Sequence, residues 1–320
     1  MAVLGIDVSK ADFHAVLLAG TDRSRRSFPN GPAGFRAVRK WLINRKVTEV
    51  HACMEATGAY WLELARSLHA GGIRVSVVNP TRTALFARSQ LRRTKTDAVD
   101  AQMIAEFCAT QRPEAWTPPA TEILVLRGFL SYRQQLVEQR VALEQLVSQV
   151  EVDASLERLH RDHIAVLRDA ISTLEEQIAR HVQAHHELRE AVERVQSIPG
   201  FGALTAAAVV AKLPVDRLRN AKAAAAYVGL SPSERQSGSS IRGIPRICKT
   251  GNGDLRRDLY MPALVAMRFN PALRSFAERL KSRGKPAKVV IVAIMRKLIV
   301  LAYTLLKDGS TFTAQETAHA

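Results

Sequence analysis

The sequence has little sulfur, few aromatic rings and a shortage of acid. Its three cysteines, Cys53, Cys108 and Cys248, are far apart and form no CxxC pair. That spacing indicates neither a zinc site nor a disulfide framework and leaves ordinary reduced thiols. Aromatic residues make up 6% of the chain, yet 47% of its 320 residues are hydrophobic, enough for a sizeable core and two or three domains. No run of about 18 apolar residues is uninterrupted, and no signal-like region precedes the first apolar run, so a cytoplasmic protein without a membrane partner is expected. No GxGxxG follows the first strand-like run, which disfavours a nicotinamide or flavin site.

The shortage of acid is uneven. Lys and Arg number 46 against 30 Asp and Glu, a formal net charge of +16. Residues 1–200 hold 26 basic and 23 acidic residues, whereas residues 201–320 hold 20 and 7. A field that concentrated points to a polyanionic partner and makes the C-terminal third the expected nucleic-acid face. A merely soluble basic surface is the plain alternative.

Four carboxylates stand out against this background. Asp97 and Asp100 lie in the helix-compatible run Thr94-Lys95-Thr96-Asp97-Ala98-Val99-Asp100, three apart and therefore on one helical face. Like charges that close are unfavourable unless a cation sits between them. Asp7 ends the apolar run of Val3-Leu4-Gly5-Ile6, and Glu55 ends Cys53-Met54. Strand ends are where an α/β sheet presents polar groups, so an Asp7-Glu55-Asp97-Asp100 cluster for divalent metal is the first hypothesis. Two such ions about 4 Å apart would clamp a phosphate and activate a hydroxyl for in-line attack. Taken singly, each acid reads equally as a helix-end charge or a solvated strand end. Arg82, Arg88, Arg92, Arg93 and Lys95 crowd the approach, a basic strip suited to a phosphate backbone or simply a solvated helix face.

The order of apolar runs and breakers predicts β, β, β, α, β, α, β, α over residues 2 to about 110. Three leading strands followed by alternation suit a ribonuclease H-like fold, not a doubly wound dinucleotide fold, which would start βαβ. Arg112-Pro113 and Trp116-Thr117-Pro118-Pro119 mark a linker, with a first domain over 1–112. Residues 113–195 are expected to be that linker and a long helical segment. From Thr121 to Val195 only Gly128 interrupts helix-compatible residues. An apolar heptad seam runs through Ile164, Leu167, Ile171, Leu174, Ile178, Leu188, Val192 and Val195, with His181 and His185 filling the intervening positions. Leu136, Leu143, Leu146 and Val150 form an earlier seam, giving two long helices in a hairpin or an intermolecular coiled coil. The histidines lack a carboxylate or cysteine to complete a metal set, so they read as a polar interruption.

Residues 196–320 form the third expected domain. Ser197-Ile198-Pro199-Gly200-Phe201-Gly202 is a tight turn into an alanine-rich helix. It suits a helix-hairpin-helix holding a DNA phosphate, and equally a structural αα-turn. Gln236-Ser237-Gly238-Ser239-Ser240-Ile241-Arg242-Gly243-Ile244-Pro245-Arg246, followed by Lys249, Arg256 and Arg257, is read as a flexible basic loop. A serine there serves as a phosphate ligand or a nucleophile, and chemistry alone leaves both open, with the ligand reading ahead. Residues 286–306 form an apolar helix with Lys288, Arg296 and Lys297 on its polar side.

GIDVSK, MEATGAYW, VSVVNP, LRRTKTDAVDAQMIAEFC, RPEAWTPP, SIPGFG, YVGLSP, SGSSIRG, KTGNGDLRRDLYMPA and IMRKL together resemble the DEDD-type insertion-sequence transposases (insertion-sequence family one hundred and ten), the bridge-RNA-guided serine recombinases, over nearly the whole chain. The resemblance implies a RuvC-like N-terminal domain with Asp7, Glu55, Asp97 and Asp100 as its acidic residues. It also implies a C-terminal transposase domain with Ser237, the first serine of SGSS, as nucleophile. The activity implied is cutting and rejoining of DNA through a phosphoserine link, with Mg²⁺ in the acidic site and an element-encoded guide RNA choosing the DNA by base pairing. A homo-oligomer, dimer or tetramer, is implied, in a bacterial cytoplasm and associated with the nucleoid. The nucleic-acid contacts expected are Arg92, Arg93, Lys95, Gly200, Gly202, Arg242, Arg246, Lys249, Arg256 and Arg257. The rivals are a junction-resolving nuclease using metal-activated water and a non-catalytic nucleic-acid scaffold.

Overall fold

The computed structural model describes residues 2–90, 97–147, 153–233, 236–237, 241–242 and 246–313. Two compact units divide the chain, Met1–Pro119 and Ala120–Ala320.

The first unit is one mixed five-stranded sheet. Its strands are β1 (Ala2–Val8), β2 (Asp12–Ala19), β3 (Asp22–Pro29), β4 (Val50–Glu55) and β5 (Arg74–Val78), in the order β3-β2-β1-β4-β5. The first three form an antiparallel meander, and β1, β4 and β5 run parallel. Helices α1 (Pro32–Asn44) and α2 (Trp61–Ala70) provide the parallel crossovers, and α3 (Pro80–Ser89) and α4 (Asp97–Gln111) follow β5. Period-two alternation divides the strand side chains between two layers. Leu4, Ile6, Phe13, Ala15 and Leu17 pack with Val38, Trp41, Leu64 and Leu68 of α1 and α2. Val3, Val16, Cys53 and Val78 pack instead with Ala101, Ile104, Ala105 and Cys108 of α4. Each wholly buried Leu or Ile contributes about 1.5–3 kcal/mol by leaving water.

The proline-marked segment after α4 is built into this unit. Trp116 is 4% exposed, and its backbone N–H donates to Val75 O at 2.6 Å. The Ser76 hydroxyl lies 2.7 Å from Glu114 O and 3.1 Å from Pro113 O, and 2.7 Å from buried His51 Nε2. Proline disfavours helix, but the Trp116 N–H and the Pro113 and Glu114 carbonyls find partners on the edge strand β5.

The second unit is largely helical. Its long helices α5 (Thr121–Val147) and α6 (Ala154–Ala184) pack antiparallel within the chain. Arg133 bonds Glu175 at 2.5 Å and Arg168 bonds Glu144 at 3.1 Å, while Leu136 meets Leu167 and Ile171 between them. The seam expected to run unbroken to Val195 is interrupted. His185 is extended, and α7 (His186–Gln196) restarts the helix. The cause is local: His185 Nδ1–H donates to His181 O at 2.8 Å, supplying a partner to a last-turn carbonyl. His181 Nε2–H in turn donates to Glu122 O of α5 at 2.9 Å. Both rings therefore serve the hairpin.

The core of this unit gathers α7, α8 (Ala203–Lys212), α9 (Ala221–Tyr227), α10 (Gly253–Asp258), α11 (Tyr260–Phe269) and α12 (Pro271–Ser282) around α13 (Ala287–Asp308). By length and composition α13 could cross a membrane, but 56% of its apolar window is buried here. Val290, Ile294, Leu298 and Ala302 are wholly buried, as a central core helix requires.

Candidate active site

Asp7 and Glu55 are placed by strand register. β1 and β4 are parallel neighbours, and their last paired residues are Ile6 and Met54. Asp7 and Glu55 occupy the next rung, side by side at the strands' C-terminal ends. Alternation gives them the face of Val3, Gly5 and Cys53, which is the face α4 covers.

The helix is seated by a glycine. A Cβ added to Gly5 would lie 2.6 Å from the Ala105 Cβ and closer still to Ala101 O and Ala105 N. The α4 backbone thus rests directly on β1. Further down, the Cys108 Sγ lies 3.9 Å from His51 O, and His51 pairs with Val3. Two strand residues advance about 6.6 Å, the rise of four to five helical residues. Cys108 at the level of Val3 and Ala101–Ala105 at Gly5 therefore bring positions 97–100 to the level of Asp7. Asp100 is half-buried there. Asp97 opens α4, but its side chain lies outside the described residues, as do Arg92, Arg93 and Lys95 entirely.

Glu55 is held by neighbours. The Thr83 hydroxyl donates to Glu55 Oε1 at 2.5 Å, and Thr57 Oγ1 lies 3.5 Å from Oε2. Arg82 stacks over the Phe107 ring at 5.4 Å, so its charge sits between α3 and α4. Beneath Glu55, hydrogen bonding with Cys108 and then burial push the Cys53 thiol well above the usual range, which makes it an inert core group. Among the described residues no three His, Cys, Asp or Glu side chains close into a metal-holding group. The donors nonetheless fit a hard divalent cation by type, since Asp7, Glu55 and Asp100 offer only carboxylate oxygens. Sequence reasoning overlooked Thr83; the available signal was only a hydroxyl one turn into the helix after VSVVNP.

The serine-bearing segment belongs to the second unit, and glycines fix its base. Gly229 has φ +77°, and a Cβ there would lie 3.0 Å from Gly251 N and 2.7 Å from Arg256 Nη1. A Cβ on Gly251 would in turn press into the Tyr227 carbonyl. Only residues without Cβ allow these two turns to meet backbone on backbone. Asn252 N donates to Tyr227 O at 2.7 Å, Cys248 N to Ser231 O at 3.0 Å, and Arg256 Nη1 to Val228 O at 2.9 Å.

Within the stretch expected to be a flexible loop, the described residues form short strand pairs. β6 (Pro232–Ser233) pairs antiparallel with β9 (Arg246–Ile247), and β7 (Gln236–Ser237) with β8 (Ile241–Arg242). Ser237 pairs with Ile241. The side chains of Ser237, Arg242 and Arg246 lie outside the described residues.

The other cations and glycines differ in what they are free to do. Lys249 is exposed at φ +55°. Arg256 is committed to the base of the ribbon. Arg257 divides its charge among Glu138, Asp254 and Asp258 at 3.3 to 3.9 Å. Gly200, at φ +122°, lets the turn before α8 approach α11, where a Cβ would lie 2.8 Å from Pro262 O. Gly202 is the N-cap of α8 and has open space around its Cα.

Residues 4–151 match a family profile described as Transposase, of the DEDD type, and residues 192–278 match Transposase IS116/IS110/IS902 family. A pilin gene-inverting protein of Moraxella bovis is 32% identical, with 97% of each chain covered. The chain belongs to the IS110 family of transposases. It is accordingly a DNA transposase/recombinase. A probable family 20 transposase of Pseudomonas aeruginosa is 26% identical over 97% of this transposase and 98% of its own length. The transposase for insertion sequence element IS1328 of Yersinia enterocolitica is 25% identical over 93% and 99%. The first profile spans all four acids and the second spans Ser237.

Proposed function

We propose that this transposase cuts and rejoins DNA through Ser237 as nucleophile, assisted by a Mg²⁺ site formed by Asp7, Glu55, Asp97 and Asp100. The observation that carries the reading is the shared rung of Asp7 and Glu55 with the first turn of α4 laid at its level. The sheet order β3-β2-β1-β4-β5, with a meander followed by parallel crossovers, supports a ribonuclease H-like, RuvC-like unit for residues 1–112. Bound Mg²⁺ supplies charge neutralisation at the scissile phosphate. The carboxylates hold and orient it. Ser237 Oγ attacks the phosphorus as its hydroxyl proton is released to solvent, a P–O bond to a deoxyribose oxygen breaks, and the departing oxygen takes up a proton from solvent. Attack by the incoming strand's hydroxyl on the phosphoserine then restores the serine and closes the new phosphodiester. The name of the Moraxella relative, a gene-inverting protein, describes an outcome that requires both cutting and rejoining.

The acids and the serine lie in different units of the chain, and sites combined from two subunits would bring them together. A homo-oligomer, dimer or tetramer, is supported by a second heptad stripe on α5. Thr121, Val125, Gly128, Tyr132, Gln135, Gln139, Ala142 and Leu146 follow 4-3 spacing, and all are exposed and uncharged. Val125, Tyr132 and Leu146 are 42%, 59% and 53% exposed. The helices between residues 121 and 195 would thus join a hairpin to an intermolecular coiled coil, and residues 196–320 would form the transposase domain. The excess charge of the C-terminal third suits a DNA backbone together with a structured guide RNA, with Arg242 on the strand paired to that of Ser237 and with Arg246 and Lys249 following it in sequence. Action at the bacterial nucleoid in the cytoplasm follows from that substrate.

The test is incubation of the purified protein with its co-purifying RNA, Mg²⁺ and labelled element ends. Parent protein forms a covalent protein-DNA adduct. Ser237→Ala forms none while still binding DNA and RNA, and Asp7→Ala or Asp100→Ala loses Mg²⁺-dependent activity. Strand transfer by Ser237→Ala would sink the nucleophile, free 5′ phosphates without an adduct would indicate attack by water, and no metal-dependent chemistry at all would indicate a scaffold.

A further inference from the structure

Thr83 is 2% exposed, in the first turns of α3, and no sequence pattern marks it. Its hydroxyl reaches Glu55 Oε1 at 2.5 Å and lies 2.9 Å from Pro80 O. One hydroxyl carries one proton, so the two acceptors compete. The carboxylate is the stronger acceptor and the closer one, and its distance is that of an O–H···O⁻ bond. The proton therefore goes to Glu55. The other oxygen, Oε2, has the Thr57 hydroxyl at 3.5 Å, the limit of a hydrogen bond, and remains open to a further partner.

The helix delivering Thr83 is itself fixed. Asn79 Oδ1 accepts from Thr81 N at 2.8 Å, and Pro80 starts the helix with the φ it needs. Phe86 meets Phe107 edge-on at 5.6 Å, tying α3 to α4. Ala56 N donates to Val78 O at 2.9 Å, tying the residue after Glu55 to β5 just before α3 begins. Thr83 thus sits on a braced support and reaches one oxygen of one acid.

We propose that Thr83 is a positioning residue of the carboxylate site, locking Glu55 through Oε1 so that Oε2 is presented to the divalent cation. The proposal rests on the Mg²⁺ reading of Asp7, Glu55, Asp97 and Asp100. A flexible glutamate must lose rotamer freedom when it ligates, and a buried donor removes that freedom in advance.

The experiment measures Mn²⁺ binding to the full-length protein by the paramagnetic resonance signal of free Mn²⁺, with melting curves in EDTA. Half-maximal Mg²⁺ for adduct formation is a second readout. Thr83→Val keeps the shape, loses the hydroxyl, and is expected to weaken Mn²⁺ binding and raise the Mg²⁺ requirement by about tenfold, the lower end for loss of a supporting hydrogen bond. Adduct yield returns at saturating Mg²⁺. Thr83→Ser keeps the parent's affinity. Should Thr83→Val melt too early to measure, Thr83→Ala and Thr83→Ser differ by the hydroxyl alone and decide the matter. Glu55→Gln, the control for the site itself, loses binding. If Thr83→Val and Thr83→Ala bind Mn²⁺ as the parent does while Glu55→Gln does not, the role of Thr83 is overturned and the metal site stands. If Glu55→Gln also binds as the parent does, the carboxylate site falls and Thr83 with it.

Discussion

Replacing Gly5 by alanine would put a methyl group into the backbone of α4. The new Cβ would stand 2.6 Å from the Ala105 Cβ, where ordinary contact begins at 3.4 Å, and nearer still to Ala101 O and Ala105 N. Backbone atoms of a packed helix cannot rotate away, so α4 must retreat by about 1 Å or the strand must bend. Overpacking of this kind costs about 1–3 kcal/mol. A melting shift of several degrees is therefore expected for Gly5→Ala. The larger effect falls on activity, because the retreat moves Asp100 away from Asp7, and a misplacement of about 1 Å costs on the order of 100-fold in rate. The assay is thermal melting together with the initial rate of Mg²⁺-dependent adduct formation. The double substitution Gly5→Ala/Ala105→Gly separates the cause, since it removes the Ala105 methyl group but leaves the two backbone atoms, and it should recover little. Parent-like melting and rate in Gly5→Ala, or full recovery in the double variant, would refute the seating of α4 on β1.

Two further outcomes can be checked directly. Tyr132→Glu with Leu146→Glu places charge on the exposed heptad stripe of α5 and should lower the oligomeric mass seen by light scattering while leaving the helical circular dichroism intact; an unchanged mass would remove the stripe from the interface. Gly251→Ala drives a methyl group into the Tyr227 carbonyl at the foot of the serine ribbon and should abolish adduct formation by displacing Ser237, with proteolysis between residues 231 and 249 accelerated; parent-like cleavage resistance and adduct yield would contradict it.

Much of the first unit could be read from the chain because its signals are local. Apolar runs of strand length, the breakers Asn30-Gly31-Pro32 and Asn79-Pro80, and the helical repeat after Asp97 each act within a few residues, and the observed element order follows them through β5, after which two helices, α3 and α4, stand where one was expected. Strand ends placed Asp7 and Glu55, and the parallel register sets them on one rung. What escaped the sequence depends on distant partners. Thr83 and Glu55 are joined by an oxygen-oxygen contact across 28 residues, and no periodicity encodes it. The 113–119 segment reads as a linker from its prolines, yet Trp116 and the bonds to Val75 and Ser76 build it into the unit. His185 occupies a core position of the heptad count, but its ring takes the carbonyl of His181 and the helix ends there. A heptad pattern records which residues are apolar, not where a side chain outcompetes the backbone for a hydrogen bond.

The two segments proposed to carry the chemistry are supported in the same way. The first turn of α4, with its acids, is located because Gly5 lets a helix lie against a strand. The serine ribbon is located because Gly229 and Gly251 let two turns meet with nothing between them. Such contacts are stiff, since backbone atoms have no rotamers to absorb a displacement. They fix the backbone that carries the proposed acids and the base of the serine segment, each inside its own unit. Side-chain bonds then make the finer adjustment, as the Thr83 hydroxyl does for Glu55. Stiffness inside each unit also confines the needed motion: if serine and carboxylates act from two subunits, what must move is one rigid assembly toward another, and neither site has to be rebuilt when they meet.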